Sequence, residues 1–252
     1  MKLFIAGTSI FANYKAHQFP LTGVGMTLGL YLKDDVIVRN FARPGRSTKS
    51  YIAQGHLAAL EKEIGEGDYM LIEFGHNDEK VFDTDRYTAP FGEYKENIKK
   101  MVDVARNAGA TPILVSSLER RAFMDGSRMW ADPTMDPKTP TTLQPSGHTE
   151  YVAAMKQLAE EENVAFIDLC AKSREKMEAA GPVETTKWFM NIAPGEYPAY
   201  PNGLFDNTHL NIRGQWCLRD WWQRGLRNWA LPLRIFCLKM LDFMRIICYV
   251  SC

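Results

Sequence analysis

The first 170 residues alternate short apolar runs with longer helical patterns, and this alternation limits the folds that the chain can adopt. The apolar runs, rich in β-branched residues, are at positions 2–6, 36–42, 69–75, 111–117 and 164–169. Candidate helices lie between and after them, at about 22–33, 47–64, 91–108, 149–162 and 171–180. Strands that alternate with helices are typical of a parallel sheet with crossover helices. The sequence therefore predicts an α/β fold.

The composition of the 252-residue chain is that of an ordinary globular protein, and 46% of its residues are hydrophobic, which is enough for a substantial core. No linker divides residues 1–233, so we predict one domain there, followed by a C-terminal extension over 234–252. Lys plus Arg and Asp plus Glu number 30 each. The basic surplus that favours nucleic acid is absent, and the expected partner is a small or neutral molecule.

The cysteines give no sign of a disulfide framework or a metal site. Four of the five lie in the last 36 residues, Cys170 stands alone before them, and no Cys-x-x-Cys pair occurs. We therefore expect no metal and no cofactor. The apolar run before Gly7 is too short for a signal peptide, which predicts a cytoplasmic location. No run reaches the roughly 18 apolar residues of a membrane span, so a membrane partner is not expected.

Chemically useful groups follow the first three predicted strands. Ser9 follows the first strand, Gly45 the second and Asn77 the third. In the common doubly wound order 2-1-3-4-5, the carboxyl ends of these strands meet where such sheets bind ligands. The N–H groups of Ser9 and Gly45 and the side-chain amide of Asn77 would supply the donors that an oxyanion requires. Taken singly, Ser9 and Asn77 also fit capping residues, and Gly45 fits a turn glycine.

A nucleophilic serine needs a histidine base with its own carboxylate, and the segment Asp206-Asn207-Thr208-His209 offers both. On a tight turn or the first turn of a helix, the Asp206 carboxylate would meet Nδ1 of His209 and leave Nε2 free for Ser9. The chain order Ser, Asp, His also fits an α/β hydrolytic site. The alternative is that Asp206 only caps the following helix. We predict catalytic roles for Ser9, Asp206 and His209.

These residues resemble the four blocks of the SGNH, or GDSL-type, hydrolases over roughly residues 1–233. Within that superfamily the chain is most similar to the rhamnogalacturonan acetylesterase group. The segments that carry this resemblance are Asn40-Phe41-Ala42 through Gly45-Arg46-Ser47-Thr48-Lys49-Ser50, Phe74-Gly75-His76-Asn77-Asp78, and Pro194-Gly195-Glu196-Tyr197-Pro198 leading into Asp206-Asn207-Thr208-His209. The resemblance implies a flavodoxin-like three-layer sandwich, no metal, and hydrolysis of acetyl esters on pectin fragments.

Carried over residue by residue, the resemblance makes Ser9 the nucleophile, Asp206 the orienting acid and His209 the base, with the oxyanion donors named above. The chain departs from the family at position 8. Where the family usually has Gly-Asp-Ser-Thr, this chain has Gly7-Thr8-Ser9-Ile10. Threonine donates or accepts a hydrogen bond but supplies no carboxylate. Two alternatives follow, a site adapted to threonine and a catalytically impaired carbohydrate-binding relative.

Several side chains near these blocks are candidates for substrate contact, and they are His76, Trp188, Tyr197 and Tyr200. The Trp and Tyr side chains fit a sugar-stacking rim, because pyranose C–H faces pack on aromatic rings, but they fit the small core of their own loop equally well. His76 is also expected to support Asn77. Arg120 and Arg121 would either meet a uronate carboxylate as forked donors or form a solvated pair.

Other segments break the alternation of strands and helices. Residues 120–148 are rich in Pro, Thr and Asp and predict a long loop, which is more often functional than accidental. Residues 194–201 are rich in Pro and aromatic side chains and predict a shaped surface loop. Residues 234–252 fit an amphipathic helix. That helix would cover the domain, pair subunits of a homo-oligomer or rest on a membrane surface; otherwise the segment is an unselected extension.

The sequence thus predicts a serine esterase that removes O-acetyl groups from carbohydrate, with a small acetylated oligosaccharide as its partner. Within enzymes, the alternative is an esterase or lipase acting on another small acyl ester. From other classes, the alternatives are the impaired carbohydrate-binding relative and a flavodoxin-like nucleotide-binding module. The last lacks a glycine-rich phosphate loop after the first strand.

Overall fold

The computed structural model describes residues 1–123 and 147–218. Its main sheet consists of β1 (Lys2–Gly7), β2 (Ile37–Asn40), β3 (Tyr69–Phe74), β4 (Thr111–Ser116) and β5 (Ala165–Ile167). All pairs are parallel and the order is β2-β1-β3-β4-β5. The predicted α/β fold and strand order are confirmed.

Helices lie on both faces of this sheet. In the described residues they are α1 (Val24–Thr27), α2 (Thr48–Ala53), α3 (His56–Glu61), α4 (Lys95–Asn107), α5 (Thr149–Glu161), α6 (Leu169–Thr186) and α7 (Ile212–Cys217). Side chains of β1 alternate between two cores, since Leu3 and Ile5 join one and Phe4 and Ala6 join the other. Strands buried on both faces read as continuous apolar runs, which explains why the sequence revealed them. The predicted three-layer sandwich is confirmed.

Two predicted helices differ in extent from the observed ones, each for a local reason. The helix expected over 47–64 is divided into α2 and α3 by Gly55, whose φ of 76° lies in the left-handed region. The helix expected over 171–180 begins earlier, because the Asp168 side chain accepts a hydrogen bond from Ala171 N–H. It runs on to Thr186 across a kink at Gly181.

A second, two-stranded sheet was not predicted. It is an antiparallel pair formed by β6 (Phe189–Ile192) and β7 (Leu204–Leu210). The predicted loop 194–201 is the connection between these strands, and it contains neither helix nor strand. Phe189 and Leu210 are buried in the core that also contains Leu3 and Ile5. The pair is therefore fixed to one face of the main sheet.

Several predictions fall outside the described residues. These are most of the loop expected over 120–148, the domain boundary at 233 and the amphipathic helix over 234–252. In residues 1–123 and 147–218, every helix is too short or too polar to cross a bilayer.

Candidate active site

Ser9 lies in the turn that follows β1, the strand between β2 and β3. The turn closes through hydrogen bonds from Phe11 N–H to Thr8 O at 3.2 Å and from Ala12 N–H to Ser9 O at 3.3 Å. Tyr14 Oη also donates to Ser9 O at 2.8 Å. Only 8% of the Ser9 surface is exposed. The carboxyl end of β1 therefore presents a hydroxyl in a fixed and largely buried turn.

Asp206 and His209 reach Ser9 from β7. His209 Nε2 lies 2.8 Å from Ser9 Oγ, and His209 Nδ1 lies 2.6 Å from Asp206 Oδ2. The other carboxylate oxygen of Asp206 accepts hydrogen bonds from the N–H groups of Thr208 and His209, at 2.7 and 3.0 Å. The structure thus brings together the three residues for which the sequence predicted catalytic roles, in the expected order of contacts.

The local backbone around His209 differs from the one expected. Neither a helical turn nor an isolated tight turn carries it. Phe189 pairs with Leu210 and Met190 pairs with Asp206, so the ladder between β6 and β7 skips residues 207–209. This bulge is closed by the Asp206 carboxylate, which accepts from the backbone two and three residues ahead. The Asp-x-x-His spacing works here because the bulge, like a turn, brings both side chains to one side.

The charge of Asp206 is fixed by this same geometry. Burial alone would raise the pKa of the carboxyl, but hydrogen bonds from the His209 ring and from the N–H groups of Thr208 and His209 outweigh it and hold the pKa below the ordinary value of 3.8. Asp206 is therefore ionised at neutral pH. An ionised carboxylate only accepts hydrogen bonds, so His209 carries its proton on Nδ1 and turns a lone pair toward Ser9.

The other predicted oxyanion donors lie on the two neighbouring strand ends. Gly45 follows β2 with φ +75°, a left-handed conformation that suits glycine. Asn77 follows β3, and its amide donates to Arg46 O at 3.1 Å while its oxygen accepts from Arg86 Nη1 at 3.4 Å. In the part of the chain that the structure describes, the N–H groups of Ser9 and Gly45 donate to no protein atom. Both remain available to a ligand oxygen.

The structure buries two of the residues predicted to contact substrate. Trp188 is 5% exposed and packs beside Phe189 in the core on one face of the main sheet, not in a small core of its own loop. His76 is 3% exposed, its Nε2 lies 2.7 Å from Leu118 O, and its ring meets that of His148 edge to face. Burial lowers the pKa of His76 well below its ordinary value, which leaves it neutral. Neither side chain therefore presents more than a small exposed surface.

Tyr197 and Tyr200 are both partly exposed on the connection between β6 and β7. Tyr197 packs edge to face on Phe19, with 5.8 Å between ring centroids. Tyr200 Oη donates to Gln18 O at 3.0 Å. These contacts fix the loop and leave ring surface at the rim, so both tyrosines remain candidates for substrate contact.

Arg121 is the functional residue that the sequence interpretation placed wrongly. It is 2% exposed, and its guanidinium donates to Asn207 Oδ1 at 3.1 Å, to the hydroxyls of Thr185 and Thr186 and to Pro182 O. Its backbone N–H donates to Asn207 O at 2.9 Å. Arg121 therefore clamps the bulge that carries His209, and it is neither a uronate ligand nor a solvated residue. Arg120 instead pairs with Glu79.

A cluster of Glu119, His148 and Cys170 contains the side chains that, in the described residues, could hold a metal ion. Cys170 Sγ lies 3.6 Å from both His148 Nε2 and Glu119 Oε2. Arg174 already neutralises Glu119. Burial, together with the charges of Arg120 and Arg174, lowers the pKa of His148 to about 3. The carboxylates beside His148 are both already paired with guanidinium groups, Glu119 with Arg174 and Glu79 with Arg120.

Comparison with known proteins gives three results. A family model described as the GDSL-like Lipase/Acylhydrolase family matches residues 5–217. Rhamnogalacturonan acetylesterase RhgT of Bacillus subtilis is 36% identical over 236 residues, which are 93% of this chain and 93% of that protein. The structure resembles a variant of Axe2, an acetyl-xylooligosaccharide esterase from Geobacillus stearothermophilus, with a TM-score of 0.58 and 18% identity over 89% of this chain and 93% of the other. The last likeness concerns the fold alone.

Proposed function

Because the chain belongs to the GDSL-like lipase/acylhydrolase family, we propose that it is a serine esterase that removes O-acetyl groups from carbohydrate through an acetyl-serine intermediate. The relative RhgT, which is named as a rhamnogalacturonan acetylesterase, supports acetylated pectin-type oligosaccharides as the substrate class. The observation that carries the proposal is the chain of hydrogen bonds from Asp206 through His209 to Ser9.

In the acylation step, His209 Nε2 takes the proton of Ser9 Oγ as that oxygen attacks the acetyl carbonyl carbon. The Asp206 carboxylate stabilises the imidazolium that forms. His209 then gives the proton to the departing sugar oxygen, the bond between this oxygen and the carbonyl carbon breaks, and acetyl-Ser9 remains. The first proton transfer runs along the 2.8 Å contact between Ser9 Oγ and His209 Nε2. The second requires the departing sugar oxygen to lie close to the same nitrogen.

In the deacylation step, a water molecule replaces the sugar. His209 takes a proton from this water, the water oxygen attacks the acetyl carbon, and Ser9 Oγ leaves with the proton returned by His209. Acetate is released and the enzyme is regenerated. In both steps the carbonyl oxygen becomes negative, and the N–H groups of Ser9 and Gly45 and the Asn77 amide are the donors proposed to stabilise it.

Ser9 and His209 line a narrow space together with Ile10, Leu21, Thr22, Leu210 and Gln215. The relatives named as rhamnogalacturonan acetylesterases support an acetyl ester, rather than a long-chain ester, as the substrate. Tyr197 and Tyr200, at the rim, would contact the sugar.

Acetate release from acetylated rhamnogalacturonan, xylan and chitin oligomers, measured side by side, tests the proposal. We expect the fastest release from rhamnogalacturonan and none from the Ser9→Ala variant. A fluorophosphonate probe should label the native protein and leave Ser9→Ala unlabelled, which tests the nucleophile independently of the substrate. Release from xylan or chitin alone would contradict the substrate assignment, and absence of labelling would contradict the mechanism.

A further inference from the structure

Glu73 is a buried carboxylate in the middle of the main sheet. It occupies β3 beside Gly7 of β1 and has no exposed surface. In the part of the chain that the structure describes, no Lys, Arg or His pairs with it. Burial raises the pKa of Glu73. A carboxylate without a cation at such a position is costly, and buried polar groups of this kind require several hydrogen bonds.

Three donors meet this carboxylate from two neighbouring strand ends. Thr8 N–H and Thr8 Oγ1 both donate to Glu73 Oε2, at 3.1 and 2.8 Å. Ser117 Oγ, after β4, donates to Glu73 Oε1 at 3.0 Å. Glu73 thus ties together the carboxyl ends of β1, β3 and β4, at the edge where the active site lies.

Thr8 passes this constraint on to Ser9. It is fully buried, and both of its hydrogen-bond donors are bound to one oxygen, so neither its backbone nor its χ1 can rotate without losing a bond. Ile10 N–H contacts Thr8 Oγ1 at 3.4 Å on the other side of Ser9. The direction of Ser9 N–H and of Ser9 Oγ therefore follows from the Glu73 contacts.

We propose that Glu73 is a positioning residue that holds the nucleophile Ser9 through Thr8, because its carboxylate binds both donors of Thr8 from β3. The inference rests on the proposed function, because it needs Ser9 as the nucleophile. It deepens that function by assigning a role to two residues that touch no substrate. It also explains the departure at position 8 as an adapted site, since the hydroxyl of threonine donates to the carboxylate of its neighbour.

Moving the carboxylate from position 73 to position 8 tests this proposal. Thr8→Asp would place a second carboxylate within about 3 Å of Glu73 in a buried site, and we expect at least a ~100-fold loss of kcat. Thr8→Asp combined with Glu73→Gln moves the carboxylate to β1 and gives it an amide donor, and we expect at least ~10-fold of the loss to return. Restoration of kcat without a matching change in the unfolding temperature is not expected of a merely structural residue.

Milder substitutions at position 8 keep the test independent of folding. Thr8→Ser retains the donor and should stay within about twofold of the native kcat, whereas Thr8→Val loses it and should lower kcat about tenfold with little change in KM. The matched control is Thr27→Val, a buried threonine whose hydroxyl donates only to Val24 O in its own helix. It should leave kcat unchanged.

The readouts are hydrolysis of 4-nitrophenyl acetate and the rate of fluorophosphonate labelling at Ser9, with unfolding temperatures measured for every variant. Native kcat in Thr8→Val, or equal loss in folded Thr8→Asp and its double variant, would overturn the positioning role while leaving the esterase intact. Absence of labelling in the native protein would instead overturn the nucleophile assignment, and the positioning role with it.

Discussion

The turn that carries Ser9 and the strand that carries His209 are held in different ways. Ser9 follows β1, an inner strand of the parallel sheet, and the contacts beneath it are buried hydrogen bonds within that sheet. His209 lies in a bulge of the separate hairpin, where 30% of its side chain and 24% of that of Asp206 are exposed. A serine at the end of a parallel strand is placed by the fold itself. A base on an irregular edge needs side chains to hold it.

The residue that meets this need is Arg121. Its donors join the end of β4, the end of α6 and the bulge in β7. Burial lowers the pKa of the Arg121 guanidinium to about 10, which still leaves it charged at neutral pH. The Ser9 side of the site is thus preorganised by strand register, and the His209 side by a buried cation with neutral acceptors. Substitutions on the two sides are expected to have different effects.

The largest loss of kcat is expected from replacing the Asp206 carboxylate that contacts His209. Asp206→Asn allows the amide to donate to Nδ1, which turns the proton of His209 toward Ser9 and removes the base. We expect kcat to fall by about 10³–10⁴-fold at neutral pH. Hydrolysis of 4-nitrophenyl acetate measures the loss, and Asp34→Asn, at an exposed site, is the control. A variant within tenfold of native activity would show that Asp206 does not set the tautomer.

A large loss of stability is expected from removing the clamp on the bulge. Arg121→Met removes the guanidinium donors that join Asn207 Oδ1, the Pro182 carbonyl and the hydroxyls of Thr185 and Thr186. Asn207 Oδ1 then keeps only the Asn191 amide as a donor. We expect a loss of about 3–5 kcal/mol in the free energy of unfolding by urea, and lower kcat in the fraction that stays folded.

Arg39→Met is the matched control for this substitution. It removes an arginine that pairs with Glu63 on the surface, where 43% of its side chain is exposed. A surface pair of this kind contributes about 1 kcal/mol or less. Equal losses in the two variants would mean that the bulge does not depend on Arg121.

A pH-dependent effect is expected on the nucleophile side. Asp78 follows Asn77 and accepts hydrogen bonds from Thr48 and Thr88, yet its Oδ2 has no partner in the described residues. Burial raises the pKa of Asp78 from its ordinary 3.8 to about 7. Between these values the native protein holds a proton that the unfolded chain has lost. The stability from this proton is fully present below pH 3.8 and is lost as the pH rises through about 7.

Asp78→Asn removes this titration. Relative to the native protein, the variant should gain on the order of 2–4 kcal/mol of stability between about pH 4 and pH 7.5. Urea unfolding at the two pH values measures the change, with Asp34→Asn as the control. If the difference between variant and native protein is the same at both pH values, Asp78 does not hold a proton in the folded state.

The smallest effect is expected at the rim. Tyr197→Ala removes ring surface from the connection between β6 and β7 but touches no part of the hydrogen-bond chain. We expect KM for an acetylated oligosaccharide to rise about threefold to tenfold, with kcat and the hydrolysis of 4-nitrophenyl acetate unchanged. Phe82→Ala, a fully exposed aromatic residue, is the control. An unchanged KM would remove Tyr197 from the proposed substrate site.

The parts of the molecule that follow from the parallel sheet were accessible from the sequence. Buried strands read as apolar runs, and the strand order placed Ser9, Gly45 and Asn77 on neighbouring ends. The Asp-x-x-His pair was found from the residues before the family resemblance, which the match over residues 5–217 confirms. Spacing alone indicated that Asp206 and His209 would meet, because three residues apart on any tight bend gives this contact.

The parts that depend on tertiary packing were not accessible. The strand over Phe189–Ile192 is short, and its partner is irregular at the bulge. Neither strand therefore shows the alternating apolar pattern from which strands are predicted. Arg121 was expected at an accessible site, as a ligand of a uronate or in a solvated pair, whereas arginine is seldom buried without a carboxylate. Glu73 did leave a signal, since a lone carboxylate inside the apolar run 69–74 needs a partner. That signal predicts hydrogen-bond donors at the neighbouring strand ends, and Thr8 is one of them.

The hydrogen bond between Ser9 and His209 joins positions 200 residues apart. A fragment of the chain that ends before β7 contains Ser9 but lacks both Asp206 and His209, the proposed partners of that serine. Esterase activity would thus report on completion of the whole domain rather than of any portion. The time at which Ser9 becomes reactive toward the fluorophosphonate probe would therefore measure when β7 takes its place during folding.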